Sequence, residues 1–125
     1  MRDFLDQPHP SGRGRLGEDE AVRWLRERGV RIVERNVRTS AGEIDLIAVD
    51  GETLCFVEIK ARATDAYGPA IAAVPRAKQR RLARAAALYL ARRPTDRPCR
   101  FDVVGLDLED GRWRVRHVQD AFRVS

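Results

Sequence analysis

Residues 42–60, from Gly42-Glu43-Ile44-Asp45-Leu46-Ile47 through Asp50-Gly51 to Val57-Glu58-Ile59-Lys60, constrain this chain more than any other stretch. Two apolar runs with alternating periodicity flank Asp50-Gly51, a strong signal for a hairpin with a type I′ turn. With Asp50 and Gly51 as the loop, Val49 is expected to pair with Glu52, Asp45 with Phe56 and Glu43 with Glu58. Side chains alternate along a strand, so Glu43, Asp45, Ile47 and Val49 share a face with Leu54, Phe56, Glu58 and Lys60. Asp45 and Glu58 then become diagonal neighbours, about 7 Å apart at Cβ. Ile44, Leu46, Ala48, Val57 and Ile59 fall on the other face as packed core. Carboxylates inside apolar strands are costly to desolvate unless they are paired or hold a cation.

The rest of the chain sets the frame for that hairpin. A length of 125 residues with 43% hydrophobic content fits one folded domain with its own core. No apolar run approaches the length of a membrane span, and no membrane partner is expected. The segment Met1–Gly12 has acidic residues and prolines and no apolar signal core, which points to the cytoplasm. Net charge is +5, and of the 24 basic residues only Lys60 and Lys78 are lysines. Such a balance predisposes the protein to polyanions, although arginine richness also arises as ordinary solvated surface. Cys55 and Cys99 lie in expected strands without zinc-type spacing and read as buried thiols. His9 and His117 stand alone in the sequence and receive no role.

The elements follow from periodicity and punctuation. Residues 1–12 form an expected disordered tail, and 13–125 the domain. A helix is expected over 13–28, with Leu16, Ala21, Trp24 and Leu25 as its stripe and Gly29 as its stop. Strands are expected over 30–38, 43–49 and 53–63, and a substrate-contacting loop over 64–75. A second helix runs over 75–93, with Pro75 in its first turn and Leu82, Ala85, Ala86 and Tyr89 inward. Arg76, Arg80 and Arg84 recur on another of its faces. Strands at 100–108 and 113–118 complete the order αβββαββ, an α/β (α+β) arrangement around one mixed sheet.

With these elements in place, the chain resembles a known group. Gly17-Glu18 in the first helix, GEIDLI, VEIKAR, Lys78-Gln79 and Arg100-Phe101-Asp102-Val103-Val104 look like the bacterial YraN family. That family is similar to archaeal Holliday junction resolvases and carries the motifs of the PD-(D/E)-x-K nuclease superfamily, with its restriction-endonuclease-like fold. The resemblance implies Asp45 and Glu58 as metal ligands together with the Ile59 carbonyl, Lys60 as the motif lysine, and Glu18 as the helix acid that assists at the same site. It implies Mg²⁺ or Mn²⁺ as cofactor and DNA, branched or junction DNA included, as substrate. Gln79 matches a supporting polar residue. Gly42-Glu43-Ile44 stands where the superfamily label would put a proline before Asp45, a departure common in the superfamily.

On this reading Asp45, Glu58, Lys60 and Glu18 form a catalytic set for metal-dependent phosphodiester hydrolysis. Arg76, Lys78, Gln79, Arg80 and Arg84, with Arg81, form a nucleic-acid-binding helix whose contacts give affinity without sequence readout. A junction-cutting enzyme would need two sites and hence a homodimer. The rival reading is a non-catalytic nucleic-acid-binding module that retains the fold. Each residue also has a plainer explanation. Glu58 and Lys60 could be a surface pair, Asp45 could pair with an arginine, Glu18 could serve its helix terminus, and the arginine row could be a solvated face. Asp102 stays outside the catalytic set.

Overall fold

The computed structural model describes residues 14–62 and 74–123. The tail expected over 1–12 and most of the 64–75 loop lie outside the described residues. The element order is α1 (Gly14–Glu27), β1 (Arg31–Thr39), β2 (Gly42–Asp50), β3 (Thr53–Arg62), α2 (Arg76–Arg92), β4 (Cys99–Glu109) and β5 (Arg112–Phe122). This is the expected αβββαββ order, an α+β fold consistent with the restriction-endonuclease-like architecture. The five strands lie in sequence order in one mixed sheet. β3 and β4 are parallel and the other neighbours antiparallel. A parallel pair needs a crossover connection, and α2 lies in it.

Each helix covers one face. Ala21, Val22 and Leu25 of α1 pack on Leu46, Ala48, Cys55, Val57, Val104 and Leu106. Leu82, Ala85, Ala86 and Tyr89 of α2 pack on Ile47, Val49, Leu54 and Phe56. The inward residues of α2 are thus those its periodicity selects. α1 approaches β3 closely at Gly17, where an added Cβ would lie 3.2 Å from the Ala61 Cβ. The helix ends as Gly29 signals, with Val30 N–H donating to Leu25 O and Gly29 N–H to Arg26 O, a Schellman arrangement. Pro75 flanks α2 as its N-cap residue rather than sitting inside the first turn.

The hairpin register differs from the expected one. Asp50 pairs with Thr53 and Leu46 with Val57, so Gly51 and Glu52 are the loop residues. Gly51 takes φ of +62° and Glu52 has no positive φ, which fits a type II′ turn, with glycine at its first central position. The shift is by two positions, so it preserves which residues share a face. It moves Glu58 from opposite Glu43 to the register position opposite Asp45.

Two other expectations change. Cys55 is buried, and burial pushes its thiol up to about 12, but Cys99 at the start of β4 is exposed. Ile44 packs with Ile47 and Leu82 on the α2 side, not with Leu46 on the α1 side. Strand alternation is therefore broken between Ile44 and Leu46, at Asp45. The neighbouring strand breaks at the same level. Arg35 pairs with Leu46 and Val37 with Ile44, which leaves Asn36, at φ +54°, opposite Asp45.

Candidate functional site

The break at Asp45 makes the site. The paired rungs between β2 and β3 run from Asp50 and Thr53 to Leu46 and Val57. At the next position the Ile59 N–H donates to Asp45 Oδ2 at 2.8 Å. A side-chain carboxylate thus takes the donor of the neighbouring strand. Glu58, opposite Asp45, is 5% exposed and follows Phe56 on the α2 side.

Burial is the largest influence on Asp45, the negative charge of Glu58 the next, and together they push its carboxyl up to about 8. Glu43 adds to the rise, while the Ile59 N–H and Lys78 oppose it. Two carboxylates crowded in a partly dry space favour either a proton or a cation between them. Lys78 provides part of that charge. It reaches from the first turns of α2 to place Nζ 2.6 Å from Glu58 Oε2. Glu43, near the start of β2, lies 3.6 Å from Arg38 Nε.

Lys60 follows Glu58 by two residues on β3, so it belongs to the same face, opposite Gly105 of β4. Glu18 is 5% exposed on α1, and its Oε1 accepts from Arg35 Nε and from Asn36 Nδ2, each at 2.9 Å. Arg35 also pairs with Asp19. The positive φ of Asn36 lets two successive residues of β1 reach α1. Glu18 is therefore held at the strand level of Asp45, through a residue whose neighbour in the sheet is Asp45. Gln79 donates from Nε2 to Val74 O at 2.9 Å and ties down the entry to α2. Arg76, Arg80 and Arg84 are exposed along α2.

The structure thus joins Asp45, Glu58 and Lys78, aligns Lys60 with them, and fixes Glu18 from the other side of the break. Lys78, expected among residues on the nucleic-acid-binding helix, belongs to the carboxylate pair. Its lone lysine identity among the arginines of α2 is the signal that could have marked it: a compact ammonium acts as a point charge beside a carboxylate oxygen, where a planar guanidinium favours a two-pronged contact.

A second polar cluster lies away from this site. Asp102 is 1% exposed and accepts from Arg100 Nε at 2.9 Å and from the Asp120 N–H at 2.9 Å, with His117 Nε2 at 2.8 Å. Burial would raise Asp102, but these three partners outweigh it and hold the carboxyl below its ordinary range. Arg100 continues to Asp50 Oδ2 at 2.8 Å. His117, unassigned from sequence, thus helps tie β5 to β4.

The sequence profile of the Uncharacterised protein family UPF0102 matches residues 17–106. The chain belongs to this family. It is 54% identical over 111 residues to a UPF0102 protein of Symbiobacterium thermophilum, covering 87% of this chain and 94% of that one. It is 44% identical to a UPF0102 protein of Herminiimonas arsenicoxydans, over 88% of this chain and 90% of that one. A relative from Ralstonia pickettii is 46% identical over 95% of this chain and 96% of its own. The UPF0102 match includes Glu18, Asp45, Glu58, Lys60 and Lys78 and stops before β5. Among the described residues no helix is long and apolar enough to cross a membrane.

Proposed function

We propose that this UPF0102 protein hydrolyses phosphodiester bonds in nucleic acid, DNA in the first instance, with Mg²⁺ or Mn²⁺ held at Asp45 and Glu58. The observation that carries this reading is the facing of two carboxylates where β2 loses its alternation, with Asp45 raised by burial and by Glu58. The Lys78 ammonium against Glu58 supports it as a stand-in, since it marks a place where positive charge is favoured. Among the described residues no third acidic, histidine or cysteine side chain joins them in a metal-holding group. Two carboxylates suit Mg²⁺, which commonly takes one or two and completes its shell with water and phosphate. They do not suit zinc, which takes three or four nitrogen and sulfur ligands. An extended residue turns its N–H and C=O to the same edge, so the Ile59 carbonyl faces β2 beside Asp45 and is the further oxygen available.

Such a cation, when bound, polarises phosphate and lowers the pKa of a water. Lys60 then neutralises charge that builds on the phosphate oxygens, a role that needs an ammonium on the carboxylate face. Asp45 and Glu58 position the reacting phosphate by fixing its counter-charge. Glu18, bound to Arg35 and Asn36, steadies β1 beside Asp45 and adds no third carboxylate to the pair. Arg76, Arg80 and Arg84 give α2 an electrostatic footprint for the backbone. A junction substrate would require two such sites in a symmetric dimer.

One observation favours a second reading. The Lys78–Glu58 pair already neutralises part of the site, as a binding module without catalysis would need. Cleavage of linear and branched DNA in Mg²⁺ or Mn²⁺ separates the two. The hydrolase reading expects cleavage by the wild type and its loss in Asp45→Ala and Lys60→Ala with folding retained. DNA binding with no metal-dependent cleavage of any form supports the module instead.

A further inference from the structure

The carboxylate face does not end at β3. Cys55, Val57, Ile59 and Ala61 of β3, Val104 and Leu106 of β4, and Trp113 and Val115 of β5 pack toward α1. Glu58 and Lys60, Gly105, and Arg112, Arg114 and Arg116 therefore share the opposite face. The register makes this continuous: Lys60 stands opposite Gly105, and Gly105 opposite Arg116. Arg114 and Arg112 follow opposite Asp107 and Glu109. The apolar cluster under α2 reaches Leu54, Phe56, Phe101 and Phe122 on these strands, and Val103 and Gly105 of β4 are buried above it. Of the arginine row, Arg116 is level with Lys60, and Arg114 and Arg112 lie beyond it.

Two carboxylates of β4, Asp107 and Glu109, share this face with the arginines. Arg112, Arg114 and Arg116 are all exposed. Among the described residues Arg112 and Arg116 form no ion pair, and Arg114 meets Glu109 at 3.3 Å in a pair more than half exposed on both sides. Such a pair is worth little and yields readily to a phosphate. Same-face residues on a strand recur about every 6.8 Å, so each arginine meets a separate phosphate. Arg116 is two strands from Lys60, about 10 Å at a strand spacing near 4.8 Å. That is roughly three base steps along a duplex. On the β2 side α2 carries Arg76, Arg80 and Arg84, exposed and turned away from its inward stripe of Leu82, Ala85, Ala86 and Tyr89.

We propose that Arg112, Arg114 and Arg116 of β5 form a second phosphate-binding flank, so that a duplex nucleic acid straddles the carboxylate pair between α2 and β5. This deepens the reading of the site as one that acts on nucleic acid, and rests on it. The test is binding of a fluorescent duplex oligonucleotide in EDTA, by anisotropy across a range of salt, so that cleavage plays no part. Each phosphate contact contributes about 0.9 to the slope of log affinity against log salt. Arg114→Gln/Arg116→Gln is expected to reduce that slope by about two, Arg76→Gln/Arg80→Gln by about two, and the four together by about four. Arg23→Gln/Arg26→Gln, on the far side of the molecule, is expected to leave it unchanged. All these positions are exposed, and an unchanged melting temperature checks folding.

A slope that responds to the α2 pair and not to the β5 pair overturns this inference and leaves the proposed function standing. Flank effects that fail to add overturn the straddling geometry. A wild type without salt-dependent duplex binding overturns both readings. A β5-dependent slope without cleavage supports the duplex surface and overturns the hydrolase.

Discussion

Asp45→Asn should stabilise this protein above neutral pH. The Asp45 carboxyl is raised in the folded state to about 8, first by burial and then by Glu58, from 3.8. A folded-state value above the unfolded one means that the native state holds more protons between the two. Unfolding free energy therefore falls as pH rises from about 4 to about 8, and the full penalty is present above that window. At about 1.4 kcal/mol per pKa unit the gap corresponds to roughly 5–6 kcal/mol. Asp45 is only partly buried as a residue, so solvent screens the charge, and about 2–3 kcal/mol is the working figure. Asparagine keeps an oxygen to accept the Ile59 N–H and removes the charge. The variant should gain those 2–3 kcal/mol at pH 9, roughly 10 °C in melting temperature for a domain of this size, and almost nothing near pH 4. Urea unfolding followed by circular dichroism at pH 5, 7 and 9 measures it, with the m-value unchanged. A variant less stable than the wild type at pH 9, or a gain that does not grow with pH, would refute the claim that Asp45 and Glu58 are crowded anions.

Lys78→Met removes the ammonium from Glu58, so it should destabilise the protein more at pH 9 than at pH 6, where Asp45 is protonated; thermal melts at the two pH values read the difference. Asp102→Ala should destabilise by about 3–5 kcal/mol, because Arg100 loses its buried partner, with denaturant titration as the measure. Phe56→Ala, in the core under α2, should lose about 3–5 kcal/mol in the same assay. Gly17→Val should lose about 1–3 kcal/mol, since its Cβ would lie against Ala61 where α1 is pinned to β3; a loss below a few tenths would show that the helix can shift freely.

Strand faces repeat every two residues, so a register displaced by two positions still puts Glu58 and Lys60 on the face of Ile47 and Val49. Moving the loop from Asp50-Gly51 to Gly51-Glu52 displaced each pairing by two positions, and parity was preserved. What alternation alone could not supply was its own failure at Asp45. Strict counting groups Ile44 with Leu46 and Ala48, and the structure puts it under α2. That break depends on Asn36 in the adjacent strand and on a carboxylate replacing a ladder partner, neither of which is a local property of β2. The thiols divide in the same way: Cys55 lies inside β3 in the core under α1, while Cys99 opens β4 at the sheet end and stays exposed.

The sequence by itself determined the seven elements, their order and the common face of two acids and a lysine. Those features follow from periods of 2 and 3.6 residues, from turn residues and from helix stops, all of which act over a few positions. Tertiary structure alone decided that Lys78 reaches Glu58 across 20 residues of sequence, that Arg35 and Asn36 hold Glu18, and that His117 meets Asp102. It also decided that the β5 arginines share the carboxylate face. These pairings come from how α1 and α2 dock and from the parallel crossover between β3 and β4, and no local propensity encodes which distant side chains that packing brings into contact.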